Sequence, residues 1–241
     1  MLTNGQIMRL DKFIAEHTGL TRSQAGKALR QSAVTINSKI EKNGAAKIGP
    51  QDEVRFDGEL LHWVESGQYI MLYKPQDYIC THDDDGAYPN IYSLFDYPLA
   101  GKLHSVGRLD ADTTGLVLLT DDGQWSHRIT SPRHHCPKTY LVTLADPVEN
   151  HYQHSCAQGM MLRGEKSLTK PAQLEIIDDY HVNLTLSEGR YHQVKRMFAA
   201  LGNKVVALHR WKIGEVILDA RLQTGEHRPL SAEEITLLTK G

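Results

Sequence analysis

The chain has 241 residues, with 27 Lys/Arg against 29 Asp/Glu for a formal net charge of −2, and it is 40% hydrophobic and 23% charged. Such a composition is ordinary for a soluble globular protein of one large or two smaller domains. No apolar run approaches the roughly 18 residues of a membrane span. The first twenty residues hold Arg9, Asp11, Lys12, Glu16 and His17 and no apolar signal core, so no secretory peptide is expected. Cys80, Cys136 and Cys156 are too few and too widely spaced for a disulfide framework, which predicts a cytoplasmic protein that touches no membrane.

The charge is unevenly spread. Residues 1–50 hold eight Lys/Arg against three acids, a net +5, and residues 189–212 hold six Lys/Arg and no acid. Asp83-Asp84-Asp85 and Asp121-Asp122 concentrate acid elsewhere. Two basic patches on a nearly neutral chain suit local contact with a polyanion. Each patch alone is also what a solvated helix face looks like.

In chain order, Leu10, Phe13, Ile14 and His17 have helical spacing, and Gly19 stops that helix. Thr21 or Ser23 caps a second helix that buries Ala25, Ala28 and Leu29. Val34–Ile36 and Val54–Phe56 read as short strands, with turn signals at Asn37-Ser38 and Asn43-Gly44. A boundary falls between Leu60 and Gln68, giving a module over 1–60, a linker over 61–68 and a larger domain over 69–241. That domain opens with a strand over Tyr69–Tyr73, closed by Lys74-Pro75.

Leu116–Leu119 is a short continuous apolar run, as in a fully buried strand. Thr139–Leu144 is a strand with Tyr140, Val142 and Leu144 on one face. Leu174–Ile177 and Val182–Leu186 flank Asp178-Asp179 as an antiparallel hairpin. Val194, Met197, Phe198 and Leu201 define an amphipathic helix ended by Gly202, and Val205–Leu208 resumes a strand. Ser231 and Glu234 form a capping box for the last helix. The whole reads as α+β with a predominantly antiparallel sheet.

Gly107-Arg108-Leu109-Asp110-Ala111-Asp112-Thr113-Thr114-Gly115-Leu116 carries the most chemical information. It sets one carboxylate, Asp110, on a glycine-bracketed loop in front of a buried strand, with Arg108 within reach. Standing alone, this would equally be a capped turn before a core strand. Asp110, Asp112 and Asp121 also track a calcium loop, but that loop needs a terminal Glu and flanking helices. His134-His135-Cys136 invites a zinc reading, yet adjacent residues cannot converge on one tetrahedral ion. No metal is therefore expected.

The ten-residue block closely resembles the signature of RNA pseudouridine synthases of the RsuA type, in which this Asp is the catalytic carboxylate. Asp121–Tyr140 resembles that family's second block, which ends in its active-site tyrosine, here Tyr140. Glu188–Met197 resembles the third, whose basic partner of the catalytic Asp falls at Lys195, with Arg196 the alternative if the register slips by one. Many relatives carry Arg at that position, and Lys is the variant associated with small-subunit rRNA enzymes. Lys204–Arg210 resembles the segment whose leucine packs in the active site, here Leu208. The blocks follow in family order over nearly the whole chain.

Met8–Phe13, Arg22–Ala25 and Val34–Asn37 resemble the RNA-binding domain named after ribosomal protein S4. Such domains often carry Ser-Arg at the start of the second helix. Here Arg22 precedes Ser23, which leaves open which arginine meets phosphate. Arg9, Arg22, Lys27 and Arg30 are the candidate contacts.

The resemblance implies a pseudouridine-synthase fold with a mostly antiparallel mixed sheet behind a small S4-like α/β domain. It further implies isomerisation of one uridine of bacterial 16S rRNA by a monomer, in a partly assembled small ribosomal subunit. The reaction breaks the bond from ribose to the base nitrogen, turns the uracil and rejoins it through carbon. Asp110 would attack the sugar or take its proton, and Lys195 would keep that carboxylate charged. Tyr140 would stack the base and Leu208 would wall the cleft. Arg108 would fill the gap left by the flipped nucleotide or hold its phosphate. The loop with Arg128, Arg133 and Lys138 would face RNA, and no step needs a cofactor. The rivals are a 23S rRNA target, a non-catalytic RNA-binding protein on the same fold, and a calcium-binding protein.

Overall fold

The computed structural model describes residues 7–63, 67–82, 86–96, 99–131 and 136–239. The chain forms two compact units, one of residues 1–66 with 95–103 and one of residues 67–94 with 104–241.

In the first unit, β1 (Met8–Arg9) leads into α1 (Leu10–Thr18) and α2 (Arg22–Arg30). Helix α1 buries Leu10, Phe13, Ile14 and His17 and ends at Gly19 with φ 71°, the left-handed cap that glycine adopts without a Cβ penalty. Thr21, not Ser23, caps α2, in a reciprocal capping box with Gln24. Strands β2 (Val34–Ile36), β3 (Lys39–Ile40), β4 (Lys47–Ile48), β5 (Val54–Phe56) and β6 (Glu59–Leu61) follow. The order β3-β2-β5-β6 makes one antiparallel sheet, and β1 pairs with β4. Asn37 and Ser38 both have positive φ, 49° and 67°, as the tight turn of the β2–β3 hairpin requires. Leu61 and Trp63 pack on this unit's core, and the Trp63 ring lies 4.5 Å from that of Phe13. Residues read from sequence as linker thus begin as core.

The second unit is built on one sheet. Its strands are β7 (Tyr69–Lys74), β8 (His104–Ser105), β9 (Thr114–Thr120), β10 (Lys138–Leu144) and β11 (Gln173–Ile176). They continue with β12 (His181–Leu186), β13 (Val205–Ile213), β14 (Val216–Ile217) and β15 (His227–Pro229). Between them lie α3 (Gly123–Thr130), α4 (Tyr152–Gln158), α5 (Gln193–Ala200) and α6 (Ala232–Leu237). The order is β11-β12-β10-β13-β9-β7-β15, with β14 on β13 and β8 on β9. Every described pairing between these strands is antiparallel except β13 with β9.

That parallel pair is a seam between two cores. On one side Val142, Val182, Leu184 and Phe198 pack strands β10 to β12 against α4 and α5. On the other, Met71, Leu116, Leu118 and Trp125 pack β7 and β9 against α3. The seam is short, with His209 opposite Thr114 and Arg210 opposite Gly115. Gly115 has φ 110°, and a Cβ there would overlap the Arg210 carbonyl. Glycine is needed because two backbones touch at that point.

Strand β13 runs to Ile213, five residues past the apolar Val205–Leu208. It continues because β10, β9 and β14 all pair with it, and because Leu208, Arg210 and Ile213 turn inward. A buried arginine hid that continuation from a hydrophobicity reading.

Candidate active site

The loop carrying Asp110 is held from both sides. Leu109 is buried, and Thr113, also buried, donates its N–H to the Asp110 carbonyl at 3.1 Å. Lys74 lies beneath, fully buried, its Nζ donating to the carbonyls of Pro75, Ala111 and Thr113 at 2.9, 3.1 and 2.8 Å. Asp77 adds its N–H to the Ala111 carbonyl at 2.8 Å. Burial pushes the Lys74 ammonium down to about 8 from an ordinary 10.5, against the pull of Cys80 and the nearby aspartates. With its flanks tied down, the loop presents the Asp110 carboxylate outward, about one-third exposed.

Helix α5 supplies the cation. Val194, Met197 and Phe198 face the core, so Lys195 and Arg196 fall on other faces of the helix. Lys195 Nζ donates to Asp110 Oδ2 at 2.9 Å and to Asp112 Oδ1 at 2.6 Å. Burial opposes its charge, but hydrogen bonds and attraction from the two aspartates outweigh that, and Lys195 sits above the ordinary lysine value. Asp112 is desolvated too, yet Lys195 holds it below the usual carboxylate range. The turn into α5 is locked by Gln193, which is buried. Its side chain donates to Glu188 and accepts from the Arg190 N–H, both at 2.8 Å. His192, left-handed at φ 47°, reaches Asp110 Oδ1 with Nε2 at 3.4 Å and stacks on the exposed Tyr191.

Tyr140 and Leu208 come from the paired strands β10 and β13. A bulge interrupts their register between Thr139 and Tyr140. Tyr140 lies opposite Arg210, whose Cζ is 6.0 Å from the tyrosine ring centre. Asp110, Tyr140, Lys195, Leu208, Arg210 and Arg108 all line one cavity of about 630 Å³. The lining thus combines a carboxylate and its cation, a tyrosine ring and a buried guanidinium. This arrangement can bring a charged nucleophile or base to a bound flat ring.

None of the remaining sequence candidates pairs with Asp110 among the described residues. Arg196 donates to Glu165 at 2.9 Å and to the carbonyls of Tyr191 and Arg163, so Lys195 rather than Arg196 contacts Asp110. Arg108 is exposed on the loop. Arg133, with His134 and His135, lies outside the described residues. Arg9 and Arg22 both pair with Asp11, at 2.7 and 3.0 Å, whereas Lys27 and Arg30 stand exposed on α2. The three aspartates of the calcium reading do not converge. Asp110 and Asp112 face Lys195, and Asp121 instead accepts the N–H groups of Gly67 and Gln68. Among the described residues, no group of three His, Cys, Asp or Glu is placed to hold a metal ion.

Sequence reading missed Lys74, Asp112 as the second acceptor of Lys195, Gln193, His192 and Arg210. The one available signal was their position inside or beside the motif blocks.

This constellation has the parts of an enzyme that works on a nucleoside in RNA, and comparison with known proteins agrees. Residues 68–200 match the model of the RNA pseudouridylate synthase family, and residues 8–54 match that of the S4 domain. The chain belongs to the RNA pseudouridylate synthase family. It is 74% identical to ribosomal small subunit pseudouridine synthase A of Pasteurella multocida, over 97% of this chain and all of that one. The Escherichia coli K12 protein of the same name is 57% identical, over 95% of this chain and 98% of its own. A crystal structure described as a pseudouridylate synthase is 71% identical over 96% of this chain and 99% of its own, with a TM-score of 0.70.

Proposed function

We propose that the protein isomerises one uridine of 16S ribosomal RNA to pseudouridine, with Asp110 as the carboxylate that starts the reaction. The observation that carries this reading is the 2.9 Å contact between Lys195 and Asp110 in a cavity also lined by Tyr140 and Leu208. Four residues from four separate sequence blocks meet there. The target base leaves its stack and lies against the Tyr140 ring, with Leu208 walling the cleft. Asp110 attacks C1′, or takes the C2′ proton. Either way the C1′–N1 bond breaks and its electron pair stays with the uracil. The base turns and C5 bonds to C1′, displacing the Asp110 carboxylate from that carbon or, on the other route, adding across the C1′–C2′ double bond as Asp110 returns the proton to C2′. The C5 proton then leaves and N1 takes up a proton. Lys195 holds the Asp110 carboxylate in place through its 2.9 Å hydrogen bond. Arg108 fills the space left by the flipped base or holds its phosphate.

The S4 unit docks a second RNA element through phosphate contacts, which position the protein without reading bases. Lys27 and Arg30 are free of carboxylate partners among the described residues. Arg9 and Arg22 must leave Asp11 to contribute. The names of the related enzymes support a small-subunit target, and a partly assembled particle is the substrate of the monomeric enzyme. No helix among the described residues is long and apolar enough to cross a membrane, in keeping with work in the cytoplasm.

The test is chemical mapping of pseudouridine in both ribosomal RNAs from cells with the gene, without it, and with Asp110→Asn. One 16S site should vanish in the last two. Loss of a 23S site instead would move the target to the large subunit. An unchanged map without the gene would reduce the protein to an RNA-binding one, and a site lost without the gene but kept with Asp110→Asn would overturn Asp110 as the reacting carboxylate. Rates on naked 16S rRNA and on assembly intermediates then identify the form modified.

A further inference from the structure

Arg210 is an anomaly that the reaction scheme leaves unused. Its side chain is almost completely buried, yet among the described residues no carboxylate pairs with it. Its Nε donates to the Leu116 carbonyl at 2.8 Å, whereas Nη2 is buried with no hydrogen-bond partner. A buried cation without a counter-ion is costly, and such a group is retained where something else needs its charge. Arg210 lines the same cavity as Asp110 and lies beside the Tyr140 ring.

The other cations lining the cavity are paired or open to solvent. Lys195 is shared by Asp110 and Asp112, so its charge is taken up by two carboxylates. Lys138 donates a hydrogen bond to the Cys136 carbonyl at 2.7 Å, Arg190 is paired with Glu165 and Glu188, and Arg108 is exposed.

The proposed isomerisation creates an anion at this place. When C1′–N1 breaks, the electron pair remains on the uracil, spread over N1 and its carbonyl oxygens, until C5 bonds to C1′. This holds whether Asp110 forms a bond to C1′ or removes the C2′ proton with formation of a C1′–C2′ double bond. Asp110 and Asp112 would repel that anion. We propose that Arg210 stabilises the departing uracil anion, an inference that rests on the isomerase reading. A fixed cation in a site of low dielectric gains most where charge develops during the reaction.

The alternative is that Arg210 only braces the β9–β13 seam through Leu116. The two roles separate by leaving-group dependence. Fluorine at C5 withdraws electrons and makes the uracil anion intrinsically more stable. Arg210→Met and Arg210→Lys would be compared with the wild type in single turnovers at saturating enzyme. The substrates are 16S rRNA fragments with uridine or 5-fluorouridine at the target, and the readout is cleavage of the original C1′–N1 bond. With uridine, Arg210→Met should slow cleavage roughly a hundredfold, the scale of losing one anion-stabilising donor. With 5-fluorouridine the loss should be several times smaller, and Arg210→Lys should recover part of it on both. RNA affinity should stay near the wild-type value. An equal fold-loss on both substrates overturns the proposal and leaves a bracing residue. If Arg210→Met does not fold, the same two-substrate comparison on Arg210→Lys decides. A wild type that cleaves neither substrate refutes the isomerase reading itself.

Discussion

Gly115→Ala probes the seam that closes the site. Asp110 stands on the loop before β9, while Tyr140, Lys195 and Leu208 belong to the half of the sheet beyond it. The described parallel pairing between those halves runs through two residue pairs. A Cβ at Gly115 would overlap the Arg210 carbonyl and lie 2.8 and 2.9 Å from that residue's N and C atoms. These are backbone atoms and cannot swing aside. The φ of 110° costs a residue with a Cβ about 1–3 kcal/mol. Parting the strands enough to admit a methyl forfeits one or two hydrogen bonds, at about 1 kcal/mol each. The expected loss is about 2–5 kcal/mol, from a total that for domains is typically about 5–15 kcal/mol. Gly107→Ala is the control, because its Cβ meets nothing closer than Thr130 Cγ2 at 3.9 Å and so incurs the φ cost alone. Urea unfolding of both variants, with pseudouridine formation measured well below the transition, gives both quantities. If Gly115→Ala stays within about 1 kcal/mol of wild type, or equals Gly107→Ala and keeps full turnover, the seam is not what assembles the site.

Lys195→Met should abolish turnover by leaving Asp110 and Asp112 facing each other without a cation. Arg196→Met should cost far less, and equal losses in single-turnover assays would contradict the assignment of the cation. Replacing Lys27 and Arg30 with Gln should flatten the slope of log affinity against log salt by about 0.7–0.9 for each phosphate that is no longer neutralised. An unchanged slope on a 16S fragment would show that this face of α2 does not touch RNA. Lys74 binds its proton less tightly folded, at about 8, than at the ordinary 10.5. Between those values the unfolded chain therefore holds more protons, and stability should rise with pH. Compared with Lys74→Met, the wild type should gain about 2–3 kcal/mol from pH 7.5 to 10.5. Parallel stability curves for the two proteins would show that Lys74 is not held as a strained cation.

Local patterns were legible where neighbouring residues decide the outcome. The periodicity of Leu10, Phe13, Ile14 and His17, the Ser231 cap, the turn at Asn37-Ser38 and the apolar run into β9 all appear as read, and of the two caps offered for α2 the chain uses Thr21. Each depends on interactions spanning a few residues, which composition and spacing express directly. The four motif residues Asp110, Tyr140, Lys195 and Leu208 were legible by resemblance, and they line one cavity. Periodicity alone would have left Lys195 and Arg196 equivalent on a helix surface.

Interactions between distant parts of the chain were not legible. Only the tertiary structure decides that Lys195 rather than Arg196 turns to Asp110, that Asp112 shares it, and that Arg9 and Arg22 are held by Asp11. It alone takes Lys74 and Arg210 out of water, although any hydropathy reading places lysine and arginine at the surface. The physical reason is that a charged side chain is buried only when acceptors far away in sequence are waiting for it. For Lys74 these are the carbonyls of Ala111 and Thr113, and for Arg210 that of Leu116. Which strands approach closely enough to supply them was settled at Gly115, where the absence of one carbon lets β9 and β13 meet.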